Sequence, residues 1–142
     1  MTLQELIEKK KSEPIYIDSS AKIRDAVVIM CQNQVGSLLI ESKKGNLKGI
    51  ITERDILRFC STRSCDLETA EVEEIMTKDP ITAPPDCSND EAMTLMTERR
   101  FRHLPIVEDG KTIGIVSIGD LVKARLEDVT VEVKYLRDYI NS

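Results

Sequence analysis

The chain has no tryptophan, a single histidine (His103) and only 4% aromatic residues across 142 positions. So few flat rings exclude a base-stacking platform of the kind that holds single-stranded nucleic acid. No apolar run is long enough to cross a bilayer, and Met1-Thr2-Leu3-Gln4-Glu5-Leu6 reads as an amphipathic helix start and not as a signal peptide. No membrane association and a cytoplasmic location are expected. The charge excess is acidic, a formal −5, whereas sequence-independent nucleic-acid binding needs basic surface to displace counterions. Nucleic acid is therefore not an expected partner, and any anionic ligand must be met by local cations. Four cysteines (Cys31, Cys60, Cys65, Cys87) match no zinc spacing. No metal site is expected, and the thiols are read as free and buried or half-buried. No nucleophile–base pair and no phosphate-cradling glycine loop is visible, so the chain is read as no enzyme, with no catalytic residues and no catalytic cofactor.

What the chain does have is enough apolar residues, 41%, to bury a core, and a phrase written twice. Gly49-Ile50-Ile51-Thr52-Glu53-Arg54-Asp55 returns as Gly114-Ile115-Val116-Ser117-Ile118-Gly119-Asp120, 65 residues later. In both, a β-branched pair favours extended backbone and the residues from the aspartate onward favour helix. Thr52 and Ser117 thus fall where a helix N-cap belongs, with Asp55 and Asp120 three residues on. One reading is a shortened capping box. The other is a nucleotide site, since a helix N-terminus offers N–H groups and a positive dipole end, and a carboxylate accepts hydrogen bonds from a ribose diol.

The rest of the chain repeats in the same register. A short amphipathic helix over residues 2–11 ends before Pro14, and Ser12 to Ile17 is extended, because the residue before a proline is pushed out of the helical region. Asp18-Ser19-Ser20 caps a helix carrying Ile23, Ala26, Val27 and Met30. Strands Val35 to Ile40 and Leu47 to Ile51 form a hairpin around Lys43-Lys44-Gly45-Asn46, and a helix runs from Glu53 to about Ser61. The order then restarts. Pro80 lies 66 residues after Pro14, Ala92 and Met96 lie 66 after Ala26 and Met30, and Ile106 lies 66 after Ile40. Ser88 caps the second helix, and the turn at Asp109-Gly110 is one residue shorter than the first, which reduces the offset to 65. Beyond the second phrase, Val122, Leu126, Val129, Val133, Leu136 and Ile140 alternate steps of four and three, a narrow seam suited either to its own repeat or to a dimer contact. Val129-Thr130-Val131 leaves open whether this is one helix or two.

The two Gly-to-Asp phrases, the Pro-Ile pairs at 14–15 and 80–81, the Ala-x-x-x-Met helices and Phe101-Arg102-His103-Leu104-Pro105-Ile106-Val107 together resemble a tandem pair of CBS (cystathionine β-synthase) domains, a Bateman module. The resemblance covers roughly residues 11 to 127. It implies an α+β fold of two β-α-β-β-α repeats packed about a pseudo-two-fold axis. The expected divisions are an N-terminal helix (1–10), repeat one (11–62), a linker (63–76), repeat two (77–127) and a helical extension (128–142). It further implies two clefts that take adenosine-containing ligands such as AMP, ADP, ATP or S-adenosylmethionine, with a homodimer of modules. By the same resemblance, Ser117, Asp120, Arg102 and His103 serve one cleft, lined also by Lys11, Pro14, Ile15 and Tyr16. Thr52, Asp55, Gly36 and Ser37 serve the other, closed by Thr77, Pro80 and Ile81.

Gly36-Ser37 stand in repeat one where Arg102-His103 stand in repeat two. Arginine offers a planar fork to phosphate and Gly-Ser does not, so the Asp120 cleft is expected to be the better phosphate site, with Lys11, Arg99 or Arg100 as helpers. His103 as a plain strand residue, and Arg99-Arg100 as a solvated helix end, are the alternatives. Gly119 either loosens its helix start or admits a ligand to the backbone. The functional expectation is a non-catalytic, ligand-sensing module acting on an unidentified regulated protein. A dimerising adaptor with unused clefts is the competing expectation.

Overall fold

The computed structural model describes residues 1–62 and 65–141. Positions 63 and 64 of the expected linker and the final residue of the expected extension lie outside the described residues. The chain runs α1 (Leu3–Lys10), α2 (Ile23–Asn33), β1 (Ser37–Glu41), β2 (Leu47–Thr52), α3 (Glu53–Cys60), α4 (Val72–Ile75), β3 (Thr77–Lys78), α5 (Asn89–Arg99), β4 (His103–Glu108), β5 (Lys111–Ser117) and α6 (Ile118–Asn141). This is the expected α+β pair of repeats, each a helix, an antiparallel hairpin and a helix.

The repeats exchange their leading helices. Leu3 and Leu6 of α1 are buried with Met96, Leu104, Ile106 and Leu121 of repeat two. Val72 of α4 and Met76 are buried with Met30, Leu38, Ile40 and Ile51 of repeat one. Backbone hydrogen bonds hold both exchanges in matching places. The Leu3 N–H donates to Cys87 O (2.9 Å) and the Val72 N–H to Ala21 O (2.8 Å), and Cys87 lies 66 residues after Ala21. The paired bridges Thr2–Ser88 and Lys22–Glu71 obey the same symmetry. Each leading helix buries its apolar side in the core of the other repeat. Each is too short to stand alone, so the exchange supplies the partner surface.

This exchange explains the glycine that opens each repeated phrase. A Cβ on Gly49 would lie 2.9 Å from the Thr77 carbonyl oxygen and from Met76 Sδ, and one on Gly114 would lie 2.8 Å from Ile7 Cδ1. The segment arriving from the other repeat crosses the strand where it has no side chain.

Some expected details fall elsewhere. The extended lead-ins make only single parallel bridges, Tyr16 with Leu39 and Ala83 with Ile106. In the second, Pro105 has no N–H to give, and the bridge is held by Ala83 N–H to Pro105 O (3.1 Å) and Val107 N–H to Ala83 O (3.0 Å). The cap of α2 is Lys22, because Asp18 instead accepts the Ser20 N–H (2.8 Å) and hydroxyl (2.7 Å) in a local turn. The expected linker (63–76) is not plain, since α4 lies in it, and the edge strand β3 at the start of the expected second repeat pairs with β2 of the first. Cys31, Cys60 and Cys65 are exposed and only Cys87 is half-buried, contrary to the burial expected of them. On α2 the core is taken by Ile23, Ala26 and Met30, leaving Cys31 outside it. Finally, α6 is one helix of 24 residues through Val129-Thr130-Val131.

Candidate functional site

Both repeated phrases are strand-to-helix junctions. The Thr52 hydroxyl accepts the Asp55 N–H (3.3 Å), and Asp55 Oδ2 accepts the Thr52 N–H (2.9 Å) and hydroxyl (3.1 Å). Ser117 Oγ accepts the Asp120 N–H (3.1 Å) and Asp120 Oδ2 accepts the Ser117 N–H (2.8 Å). The capping reading therefore holds for both copies. Part of the donor set that sequence reasoning assigned to a ligand is consumed internally, because the Glu53 N–H donates to Gly36 O (3.1 Å) and the Ile118 N–H to Arg102 O (2.9 Å).

Each junction opens onto its own cleft. The Asp55 cleft, about 530 Å³, gathers Thr52 and Asp55 with Thr77, Pro80 and Ile81, as expected. The Asp120 cleft, about 890 Å³, gathers Ser117 and Asp120 with Pro14 and Ile15. Both volumes suit a ligand of nucleoside size, within about 300–1,000 Å³.

The α–β loops are distributed differently from the expectation. Gly36 and Ser37 line the Asp120 cleft and not the Asp55 cleft. Arg99 and Arg100 line the Asp55 cleft, while Arg102 and His103 line both. The reason is the pseudo-two-fold packing: each aspartate faces the loop of the other repeat, 99–103 opposite Asp55 and 33–37 opposite Asp120. Lys11 is the left-handed C-cap of α1 (φ 54°) and lines neither cleft, whereas Lys10 lines the Asp120 cleft. Tyr16 also lines neither. Side chains alternate along extended chain, and Tyr16, one after the cleft-lining Ile15, bonds to Glu41 of the first hairpin; partial burial and that carboxylate raise its pKa.

The electrostatics of the clefts differ accordingly. Around Asp55 stand Arg54, Arg58, Arg99, Arg100 and Arg102, against the carboxylates of Glu53, Asp55 and Asp79. Around Asp120 the cations are Lys10 and Arg102, against Glu13, Glu53 and Asp120. Lys10 is already engaged: its ammonium lies 2.9 Å from Asp120 Oδ2 and 3.1 Å from Ile115 O. Burial alone would raise the Asp120 carboxyl, but hydrogen bonds from Lys10 and Ser117 and the charge of Lys10 outweigh it and hold the group below its ordinary value. Asp55 is 8% exposed and is met on its other oxygen by a neutral donor, the Thr77 hydroxyl, at 3.3 Å. His103 is pushed below its ordinary value by burial, with Glu53 and Asp120 opposing and Lys10 and Arg102 adding to the shift.

Sequence reasoning missed Lys10, Glu53, Arg54, Arg58 and Asp79 as cleft residues. Arg54 and Arg58 were findable, being four apart on the helix whose cap had been located. Lys10 was not, because nothing in the sequence says that α1 docks on the second repeat.

Two α+β repeats, intertwined by exchanged helices and enclosing a pair of symmetry-related clefts, define a tandem-repeat module. The chain belongs to the CBS domain family, which it matches over residues 4–62 and 72–127. Such tandem pairs are regulatory modules. It is 39% identical over 130 residues to the mitochondrial CBS domain-containing protein CBSX3 of Arabidopsis thaliana, covering 89% of this chain but 63% of that protein. The crystal structure of the CBS-domain protein ATU1752 of Agrobacterium tumefaciens superposes with a TM-score of 0.84 at 30% identity, covering 88% of this chain and 99% of that one. The CBS domain pair of protein MJ0100, solved with 5′-methylthioadenosine and S-adenosyl-L-methionine, superposes with a TM-score of 0.79 at 26% identity, covering 90% and 98%. No helix among the described residues is long and apolar enough to cross a membrane.

Proposed function

We propose that the chain is a non-catalytic regulatory module that binds adenosine-containing ligands in its two clefts, with Asp55 and Asp120 as ribose acceptors. The observation that carries this reading is the convergence, in each cleft, of a capped helix start, a carboxylate and the lead-in segment of the opposite repeat. The adenosyl ligands of the related CBS pair support it. The charge distribution moves the phosphate preference to the Asp55 cleft. Five arginines stand there against three carboxylates, and the guanidinium fork suits a phosphate. AMP, ADP and ATP are therefore assigned to the Asp55 cleft. The Asp120 cleft, whose two cations face three carboxylates and whose Lys10 is already paired with Asp120, is assigned as the weaker adenosine site.

Signalling follows from the build of α6. Its first turn carries Asp120, and further along it Val122, Leu126, Val129, Val133, Leu136 and Ile140 are all exposed, from 42% to 78%. The four-three spacing is that of a self-complementary two-stranded seam, which a second copy of the chain would cover. A ligand that pulls on Asp120 thus bears on the helix that joins the copies, and shifts the dimer by its differential affinity for the two arrangements. The regulated protein would read that shift. The same exposed seam favours the second reading, an adaptor whose clefts stay empty. Melting curves with AMP, ADP, ATP, S-adenosylmethionine and NADH decide between them: a saturable rise with an adenosine ligand supports the sensor, and no rise with any supports the adaptor.

A further inference from the structure

The two ribose-acceptor carboxylates have unlike partners, and the difference lies in one residue. Ile7 and Met76 are counterparts, each meeting the glycine that opens the other repeat's phrase, and beyond them α1 runs on for three more residues than α4 does, which is where Lys10 falls. Met76 is 6% exposed in the first core and brings no charge to Asp55, which is met at its outer oxygen by the Thr77 hydroxyl alone. A ribose hydroxyl can replace the Thr77 hydroxyl like for like. Asp120 holds the ammonium of Lys10 instead, at 2.9 Å, with both side chains largely shielded (29% and 26% exposed).

Lys10 ends a helix that cannot withdraw, since Leu3 (0% exposed) and Leu6 (5%) anchor α1 in the second core. Only the lysine side chain can yield. We infer that Lys10 is a specificity gate built into the Asp120 cleft, disfavouring nucleosides that lack a phosphate. The ribose of any ligand using Asp120 competes with the ammonium for the carboxylate. A ligand that brings a phosphate gives the displaced ammonium a new anion. A neutral ligand leaves it desolvated beside Arg102, with no charge gained in exchange. Arg102 also lines this cleft, and it adds to the repulsion that an unpartnered Lys10 would meet there.

This inference rests on the proposed use of the clefts for adenosine ligands, and its test separates the two. The full chain carrying Asp55→Asn, so that the Asp120 cleft alone reports, is titrated calorimetrically with 5′-methylthioadenosine and with AMP, with and without Lys10→Met. Lys10→Met should tighten 5′-methylthioadenosine about five- to twentyfold and should leave AMP unchanged or weaker. Lys9→Met, one residue earlier on α1, should change neither. A methylthioadenosine affinity that stays within twofold or falls in Lys10→Met, while binding itself is measurable, overturns the gate and leaves the cleft reading standing. Absence of binding by both nucleosides to every variant overturns the cleft reading and the gate together. Circular dichroism melting of each variant confirms that α1 remains docked, since its loss would lower the midpoint as well as change the affinity.

Discussion

Replacing Asp55 by alanine removes two roles at once, and their sizes can be worked separately. Asp55 Oδ2 holds the Thr52 N–H (2.9 Å) and hydroxyl (3.1 Å), and Oδ1 holds the Thr77 hydroxyl (3.3 Å), at a site only 8% exposed. Loss of the capping interaction costs about 1 kcal/mol. The orphaned Thr52 N–H and the lost Thr77 bond bring the sum to about 2–3 kcal/mol. For a chain of this size that is a fall of roughly 6–15 °C in melting midpoint. The ligand role appears in a second scan with AMP at about one hundred times its dissociation constant. Occupancy there stabilises the unaltered protein by about 2.7 kcal/mol, a rise of roughly 8–13 °C, and most of that rise should vanish in Asp55→Ala. Asp55→Asn, which keeps one acceptor oxygen, should recover part of the midpoint but little of the AMP response. An unchanged midpoint in Asp55→Ala would refute the capping argument. A full AMP rise on the lowered midpoint would refute the ribose assignment at this cleft.

Four further outcomes can be measured. Arg58→Gln with Arg100→Gln should weaken AMP about tenfold or more without weakening 5′-methylthioadenosine, and the AMP affinity of the unaltered chain should fall as salt rises, both read by calorimetry. Gly49→Ala should destabilise by about 1–3 kcal/mol in urea unfolding, because the Thr77 carbonyl cannot move aside, whereas Gly114→Ala should cost less because the Ile7 side chain can turn. Because His103 has its folded pKa below 6.5, the unfolded chain takes up its proton first as pH falls. Stability is therefore lost between about pH 6.5 and the lower folded value, and His103→Gln should flatten that part of the pH–stability curve. Leu126→Glu with Leu136→Glu should reduce the mass in light scattering to that of one chain while leaving the far-ultraviolet circular dichroism of the repeats unchanged.

The repeat made the fold legible. Two phrases in register fixed both caps, and the proline and Ala-x-x-x-Met spacings placed both lead-ins and helices. What periodicity could not convey was which copy each leading helix packs on. The apolar face of α1 is the same in sequence whether it is buried in one repeat or the other, and so Lys10 went unrecognised while its neighbour Lys11 was assigned to the cleft. The same limitation misplaced the loops. Gly36-Ser37 and Arg99-Arg100 sit close in sequence to one aspartate but face the other across the pseudo-two-fold axis, and adjacency along the chain carries no sign of that crossing. Gly49 and Gly114 were visible as markers of the phrase, but their reason, the segment that crosses each strand, is a contact between positions distant in sequence.

The central claim is that the carboxylates at the two helix starts hold the ribose of an adenosine ligand. Calorimetric titration of AMP into the intact chain and into Asp55→Asn/Asp120→Asn measures it directly. The account predicts saturable binding to the intact chain and its loss in the double variant, with Asp55→Asn alone removing the tighter component. Undiminished binding in the folded double variant, or no binding to the intact chain by AMP or 5′-methylthioadenosine, would contradict it.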